Sequence, residues 1–381
     1  MQRVRVRLPA RQGYTIEIGA GVLERLGQVA RQSLSPHAQR IALISNRTVF
    51  DLYGAATIAS LRAARFDVAH WLMGDGERYK SLRTAEHALQ FLAETKLERS
   101  DAVVALGGGV VGDLAGFAAA VYLRGISFLQ VPTTLLAQVD ASVGGKTGVN
   151  TSTGKNLVGA FHQPRCVLID THTLRTLPRR ELTAGWCEAI KQGAAGDRKL
   201  FEQTRRFLSG KQHIFEEEKP AVRLIAAQCA FKAKIVAGDE REEITRTDNR
   251  SRRILNFGHT IGHALEAVTG YKRFLHGEAV GYGMLAASEI SMRLDLLDQT
   301  EAQTLRDVVR AAGRLPSADD LDQRVILSAV AADKKVVGGQ VKWVLLEALG
   351  RARIVDGREV PTRIVRESLR AALRHNHEHV R

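Results

Sequence analysis

Apolar runs rich in β-branched residues recur through the first half of the chain, at residues 41–45, 102–106, 128–131 and 167–169. Each is short and bounded by polar or glycine-rich stretches, as buried strands are. Between them lie helical patterns. In residues 84–95, for example, Ala85, Ala88, Leu89 and Leu92 share one face. Strands alternating with helices predict a parallel sheet. Residues 4–8 and 14–18 alternate and predict an added hairpin turning at Arg11-Gln12-Gly13. The pattern changes at Leu177-Pro178-Arg179-Arg180, beyond which helical periodicity dominates: residues 181–194, 198–208, 221–237, 259–269, 278–294 and 301–312. Residues 343–346 and 352–355 predict a small hairpin around Gly350. A last helix starting at Pro361 has Val365, Leu369, Ala372 and Leu373 on its apolar face. The expected organisation is an α/β domain over residues 1–177, then a mainly α-helical domain over residues 178–381.

Composition narrows this picture. The chain has 381 residues, 45% hydrophobic and 25% charged, ordinary for a globular protein. The longest apolar stretch, near residues 103–123, contains Asp113 and several glycines and is no membrane span. The N-terminus alternates like a strand and lacks the apolar core of a signal peptide. Three cysteines, Cys166, Cys187 and Cys229, are too few and too scattered for a disulfide framework or a thiolate metal site. The expected compartment is therefore the cytoplasm. The net charge of +14 raises nucleic-acid binding, but the basic residues are interleaved with acids and no basic block carries stacking aromatics. A basic surface also suits an anionic small substrate. Near the C-terminus, His375, His377 and His379 could chelate a metal, but a frayed polar terminus is the better reading.

Two motifs carry candidate chemistry. The strand ending at Leu106 runs into Gly107-Gly108-Gly109-Val110-Val111-Gly112-Asp113 and then a helical pattern. Gly107, Gly109 and Gly112 satisfy GxGxxG in the strand–turn–helix setting that lets backbone N–H groups approach a pyrophosphate. The alternative is a glycine turn needed only for packing. Its position near residue 110, far from the first strand, marks a relative of the Rossmann fold. Farther on, Gly144-Gly145-Lys146-Thr147 resembles the end of a P-loop, but Asp140 stands where Walker A needs glycine, so an ATPase is excluded. What remains is a glycine-rich loop with Lys146 and Lys155, suited to an anion or equally a solvated basic loop.

In the helical half, His259 and His263 are four residues apart within Asn256-Phe257-Gly258-His259-Thr260-Ile261-Gly262-His263, and His276-Gly277-Glu278 follows. Helical spacing stacks the first two imidazoles on one face, a pattern for a borderline metal such as zinc or for two ordinary helix histidines. Glu188 and Lys191, three apart among apolar neighbours, form either a surface ion pair or a buried functional one. A carboxylate with two imidazoles would make a three-ligand zinc site with an open position.

Taken in order, these segments resemble the 3-dehydroquinate synthases, sugar phosphate cyclases of the shikimate pathway. So do Asp75-Gly76-Glu77-Arg78-Tyr79-Lys80, Val131-Pro132-Thr133-Thr134 onward to Asp140, Lys155-Asn156 and Phe161-His162-Gln163-Pro164. The resemblance covers about residues 74–333. It implies a Rossmann-like N-terminal domain and a helical C-terminal domain, with NAD and one divalent metal, zinc or cobalt. Carried over by position, it implies metal ligands Glu188, His259 and His276, with His263 facing substrate instead. The implied NAD contacts are Asp75, Gly76, Glu77, Arg78, Tyr79, Lys80, Gly109, Val110, Val111, Gly112, Asp113, Thr133, Thr134, Lys146, Lys155, Thr173, Leu174, Arg175 and Thr176. Substrate and catalytic roles would fall on Arg124, Asp140, Lys146, Asn156, Lys191, Lys232, Glu242, Arg252, His263 and the Lys334-Lys335 pair, Lys335 above all. Between Glu242 and Arg252 this chain departs from the family pattern, with Asp248-Asn249-Arg250 an apparent insertion.

The implied reaction takes 3-deoxy-D-arabino-heptulosonate 7-phosphate to 3-dehydroquinate and phosphate. Oxidation of the C5 hydroxyl by NAD acidifies the C6 hydrogen and phosphate leaves. The hydride then returns, the ring opens, and an aldol step closes the carbocycle. Two rivals are a polyol dehydrogenase, against which the Lys146, Lys155, Asn156 and Arg252 set argues, and a cyclase making a secondary-metabolite ring. The expected partner is an anionic sugar phosphate, with no nucleic acid or membrane, and the expected assembly is a homodimer.

Overall fold

The computed structural model describes residues 1–8, 13–210, 218–243, 245–246, 248, 251–333 and 341–374. The predicted turn residues Arg11 and Gln12, the insertion residues Asn249 and Arg250, the Lys334-Lys335 pair and the C-terminal histidines lie outside the described residues. Two compact units result: Met1–Leu177 with Ile214–Ala237, and Pro178–His213 with Gly238–Arg381. The helix read from residues 221–237 thus packs with the first unit.

The first unit is built on a seven-stranded sheet in the order β1-β2-β9-β6-β5-β3-β4. The strands are β1 (Gln2–Val6), β2 (Tyr14–Gly19), β3 (Arg40–Asn46), β4 (Asp67–Met73), β5 (Ala102–Gly107), β6 (Ser127–Pro132) and β9 (Cys166–Asp170). All neighbours pair in parallel except β1, which pairs antiparallel with β2 in the predicted hairpin. The central strands are buried on both faces, so they read as continuous apolar runs. Leu43 and Val104 join a core with α1 (Leu26–Ser33) and α2 (Arg47–Ala63). Ala42, Ile44 and Val103 join the opposite core with α3 (Leu82–Glu94) and α4 (Gly109–Val121). The chain goes from β3 outward to β4 and returns to β5 on the other side of β3. Such a reversal opens a binding crevice at the carboxyl ends of the strands. The glycine turn after β5 sits there.

Sequence reading treats residues 144–156 as a glycine-rich loop. They are mostly strand: β7 (Lys146–Thr151) pairs antiparallel with β8 (Gly154–Phe161). Gly148 and Gly159 serve close backbone approach there; a Cβ on Gly159 would lie 2.2 Å from the Thr147 carbonyl. Helix α7 (Glu218–Gly238) completes this unit up to Ala237.

The second unit contains α5 (Arg179–Gly196), α6 (Arg198–Ser209), α8 (His259–Val268), α9 (His276–Arg293), α10 (Gln299–Ala312), α11 (Gln323–Asp333) and α12 (Thr362–Leu373). Its small predicted hairpin is β10 (Lys342–Ala348) with β11 (Arg351–Asp356). Buried α9 is central, and two glycines decide its spacing. A Cβ on Gly277 would lie 2.0 Å from the Ala184 carbonyl of α5, and one on Gly283 would lie 1.8 Å from the carbonyl of Gly258, just before α8. Among the described residues, no helix is long and apolar enough to cross a membrane.

Candidate functional site

In the second unit, three helices converge on one cluster. Helix α5 supplies Glu188 and Lys191, α8 supplies His259 and His263, and α9 supplies His276 at its first residue. Glu188 and Lys191 are buried, 1% and 2% exposed, and form an ion pair. This decides between the two readings of the pair: it is buried. The ring centroids of His259 lie 5.2 Å from those of both His263 and His276, and His263 and His276 are 5.8 Å apart. One ring nitrogen from each histidine lies within 4.8 Å of the others. The Nε2 atom of His276 is 3.7 Å from Glu188 Oε1. Geometry alone therefore gathers three imidazole donors, His263 the most exposed of them, while Glu188 approaches the group through His276.

The donor set suits a cation. Both oxygens of Glu188 are buried with no hydrogen bond aligned on them, a costly state for a carboxylate unless a charge completes its shell. Burial, reinforced by the Lys191 charge and the neighbouring imidazoles, holds His259 well below the ordinary histidine range. It is thus kept in the neutral form that ligates metal. Burial pushes His276 the same way, but the hydrogen bond from its ring to Glu266 and the nearby carboxylates outweigh burial and raise it. Glu266 was not singled out in the sequence; its place at i+7 from His259 on the same helix face was the available signal. Burial raises the Cys166 and Cys229 thiols to about 12, so neither offers a thiolate at neutral pH.

Two further candidates stand beside this unit's cluster in sequence. Arg252 is buried, its backbone N–H donating to Asp239 at 2.8 Å and its guanidinium to the Glu240 carbonyl at 2.9 Å. Glu242, at φ 54°, accepts from Asn256 Nδ2 at 3.0 Å.

In the first unit, the glycine turn opens α4 as the sequence predicts. A Cβ on Gly107 would press on Val111 at 2.7 Å, so packing explains that glycine. The other two differ: a Cβ on Gly109 would come no closer than 3.4 Å to anything, and on Gly112 no closer than 3.8 Å. Packing does not require these glycines, whereas a pyrophosphate against the helix N-terminus does. A small hollow lined by Gly107, Gly108, Gly109, Asp113, Gln130 and Ser142 lies there. Of the flanking valines, Val111 is core, leaving its backbone for a ligand.

Around the turn runs a charge network made almost wholly of predicted residues. Lys80 Nζ lies 2.9 Å from Asp113 and 3.5 Å from Glu77. Lys155 Nζ is 3.7 Å from Glu77, which also accepts from Asn150 Nδ2 at 2.8 Å. The Asn156 N–H donates to Asn150 Oδ1 at 3.0 Å. Burial tends to raise Glu77, but Lys80, Lys155 and Asn150 together hold it below the ordinary glutamate range. Asp113 stays raised, because burial outweighs Lys80.

The remaining first-unit predictions fall into separate settings. Asp75 accepts from Asn46 and from Thr48 at 3.1 Å. Gly76 has φ 95°, and Arg78 lies 4.8 Å over the Tyr79 ring. The Thr133 hydroxyl is buried without a hydrogen bond, while Thr134 Oγ1 accepts from the Ala137 N–H at 3.2 Å. In residues 173–176, Thr173 binds the Asp170 carbonyl at 2.8 Å, Leu174 is core, Arg175 pairs with Glu218 at 2.6 Å and Thr176 meets Tyr53. Asp140, on a π-helical turn, pairs with buried Lys232 at 2.9 Å. Lys146 is exposed at the start of β7, opposite Phe161. Arg124 is exposed on a strained turn where Leu123, Arg124 and Gly125 have φ 48°, 68° and 116°.

Comparison with known proteins agrees with these features. The family model described as 3-dehydroquinate synthase N-terminal matches residues 70–184, and the C-terminal model matches residues 185–336. The 3-dehydroquinate synthase of Nostoc punctiforme is 44% identical over 96% of this chain and 98% of its own length. That of Gloeobacter violaceus is 45% identical over 97% and 99%. Among solved structures, the 2-epi-5-epi-valiolone synthase of Streptomyces hygroscopicus, with NAD+ and Zn2+ bound, superposes with a TM-score of 0.84 at 26% identity, covering 98% of this chain and all of that one. A 2-deoxy-scyllo-inosose synthase complexed with carbaglucose-6-phosphate, NAD+ and Co2+ gives 0.81 at 26% identity, covering 97% and 99%. A probable glycerol dehydrogenase from Sinorhizobium meliloti, at 18% identity and a TM-score of 0.65 over 94% and 96%, shares the fold.

Proposed function

This chain belongs to the 3-dehydroquinate synthase family, and from that premise we propose that it converts 3-deoxy-D-arabino-heptulosonate 7-phosphate to 3-dehydroquinate and phosphate, using NAD catalytically and one divalent metal, zinc or cobalt. The observation that carries the reading is the buried Glu188 carboxylate, without a hydrogen bond, beside the imidazoles of His259 and His276. In this reading residues 1–177 bind NAD and contribute substrate contacts, and residues 178–381 bind metal and substrate. Glu188, His259 and His276 hold the metal. When bound, the metal supplies Lewis acidity at a substrate oxygen and NAD supplies reversible hydride transfer.

The chain's own residues bind and orient. Lys146, Asn156, Arg252 and Arg124 take the anionic groups of the substrate. Lys191, fixed by its ion pair with Glu188, donates to a substrate hydroxyl. Asp140, fixed by Lys232, accepts from another, and His263 exchanges a proton with substrate or water. Glu242 and Lys335 complete the substrate set. The backbone of residues 109–113 and Lys80, Lys155 and Thr133 serve the dinucleotide.

We assign the protein to the cytoplasm as a homodimer without nucleic-acid or membrane partners. Light scattering after size exclusion tests the oligomeric state.

The deciding experiment incubates the protein with NAD and the heptulosonate phosphate and follows phosphate, NADH and carbocycle. Phosphate release without NADH accumulation is expected. One NADH per turnover would mean a dehydrogenase, and a different carbocycle would mean a secondary-metabolite cyclase.

A further inference from the structure

Resting on the assignment of His276 as a metal ligand, we propose that Glu266 is the positioning residue that fixes the tautomer and ring orientation of His276. Glu266 lies on α8, seven residues after His259, and is 2% exposed. Its Oε2 is 3.1 Å from Nδ1 of His276, while Nε2 of the same ring is 3.7 Å from Glu188 Oε1. The imidazole thus spans two buried carboxylates.

A neutral imidazole has one N–H, and only that nitrogen donates to a carboxylate. Glu266 claims the proton for Nδ1 and leaves the Nε2 lone pair directed toward Glu188. That contact sets a lone pair against a carboxylate oxygen that receives no hydrogen bond. Two acceptors facing one another need a cation between them, so the tautomer chosen by Glu266 is the one that ligates. Helix α8 therefore does two things: it supplies His259, and it aims the ligand on α9. A carboxylate behind a ligating histidine also raises the basicity of the ring.

The test uses the full-length, metal-free protein and Co2+ as probe. Dissociation constants come from competition with a chromophoric chelator, and the d–d spectrum reports ligand geometry. Glu266→Leu removes the acceptor while keeping the volume apolar and is expected to weaken Co2+ binding about 10–100-fold with an altered spectrum. Glu266→Gln keeps a neutral acceptor and should fall between. Glu289→Gln removes another buried carboxylate, one paired with Arg293 and Arg306, and should match wild type.

In parallel, 15N NMR of His276 in the metal-free wild type, recorded at a pH alkaline enough for the ring to be neutral, should show the proton on Nδ1. Binding by Glu266→Leu as tight as wild type, or a wild-type proton on Nε2, overturns the inference. If Glu266→Leu does not fold, Glu266→Gln and the tautomer measurement decide. If instead His276→Ala binds Co2+ like wild type, it is the ligand assignment that fails.

Discussion

The glycine turn after β5 and the histidine cluster on α8 and α9 both suit charged ligands, but they differ in what they leave unsatisfied. Around the turn the charges compensate one another: Lys80 sits between Asp113 and Glu77, and Glu77 also receives Lys155 and Asn150. What the turn offers a charged ligand is backbone N–H groups and the room beside Gly109 and Gly112. In the cluster, compensation is incomplete. Lys191 is the ion-pair partner of Glu188, yet neither Glu188 oxygen receives an aligned hydrogen bond, and His276, one of three clustered imidazoles, lies 3.7 Å from it. The first kind of site holds its shape without a ligand. The second stays electrostatically costly until a cation arrives, so metal binding and folding stability should be coupled there more strongly.

The sharpest way to break this comparison is His276→Ala. It should lose its metal on dialysis and nearly all turnover, and the wild type treated with chelator should behave alike until zinc or cobalt is restored. The metal-loaded wild type should gain about 2.7 kcal/mol at a hundredfold excess over Kd, and the variant should not. Full metal occupancy and activity in the variant would remove His276 from the ligand set.

Next in size is His263→Ala. The variant should keep its metal and lose turnover by about 10²–10⁴-fold, the range for a proton-transfer group. Metal content is the decisive readout. Loss of the ion would make all three clustered histidines ligands and would show that helical spacing was the better guide.

On the other side of the comparison, Gly112→Ala separates ligand from fold. A Cβ there has room, and alanine in a helix gains about 0.5–1 kcal/mol over glycine, so thermal stability should hold or rise. NAD affinity, measured by titration, should fall by about tenfold or more, the equivalent of roughly 1.4 kcal/mol. Unchanged NAD affinity would return the turn to a packing role.

The smallest effect is a pH dependence. Glu77 is held below the ordinary glutamate range, so its folded form binds a proton less readily than its unfolded form. Its contribution to stability is therefore present above the unfolded pKa and is lost as pH falls through the folded one. Glu77→Gln should lower stability slightly at neutral pH and flatten the loss on acidification. Identical pH–stability curves for variant and wild type would show that the network around the turn adds nothing to the fold.

Much of this was legible in the chain because the signals are local. The fully buried strands announce themselves as apolar runs, and α12 shows its periodicity, with Val365, Leu369, Ala372 and Leu373 all buried. Strand β4 escaped because it is an edge strand: Asp67 and His70 face outward and break the run. The β7–β8 hairpin escaped because its glycines read as loop when they mark two backbones in contact. Glu266 escaped because one acid on an amphipathic helix reads as surface. Its burial follows from how α8 meets α9.

By itself, then, the sequence determined the fully buried strands and the amphipathic helices, where a glycine turn opens a helix, and that His259 and His263 share a helix face. These are properties of neighbouring residues, set by side-chain periodicity and backbone sterics. Only the tertiary structure decided that the glycine turn falls where the strand order reverses, that Glu188 is buried without a hydrogen bond, and that His276 lies between Glu188 and Glu266. Those relations join residues distant along the chain, and their distances are set by packing: Gly277 against Ala184 and Gly283 against Gly258 bring α9 close enough to α5 and α8 for the donors to meet.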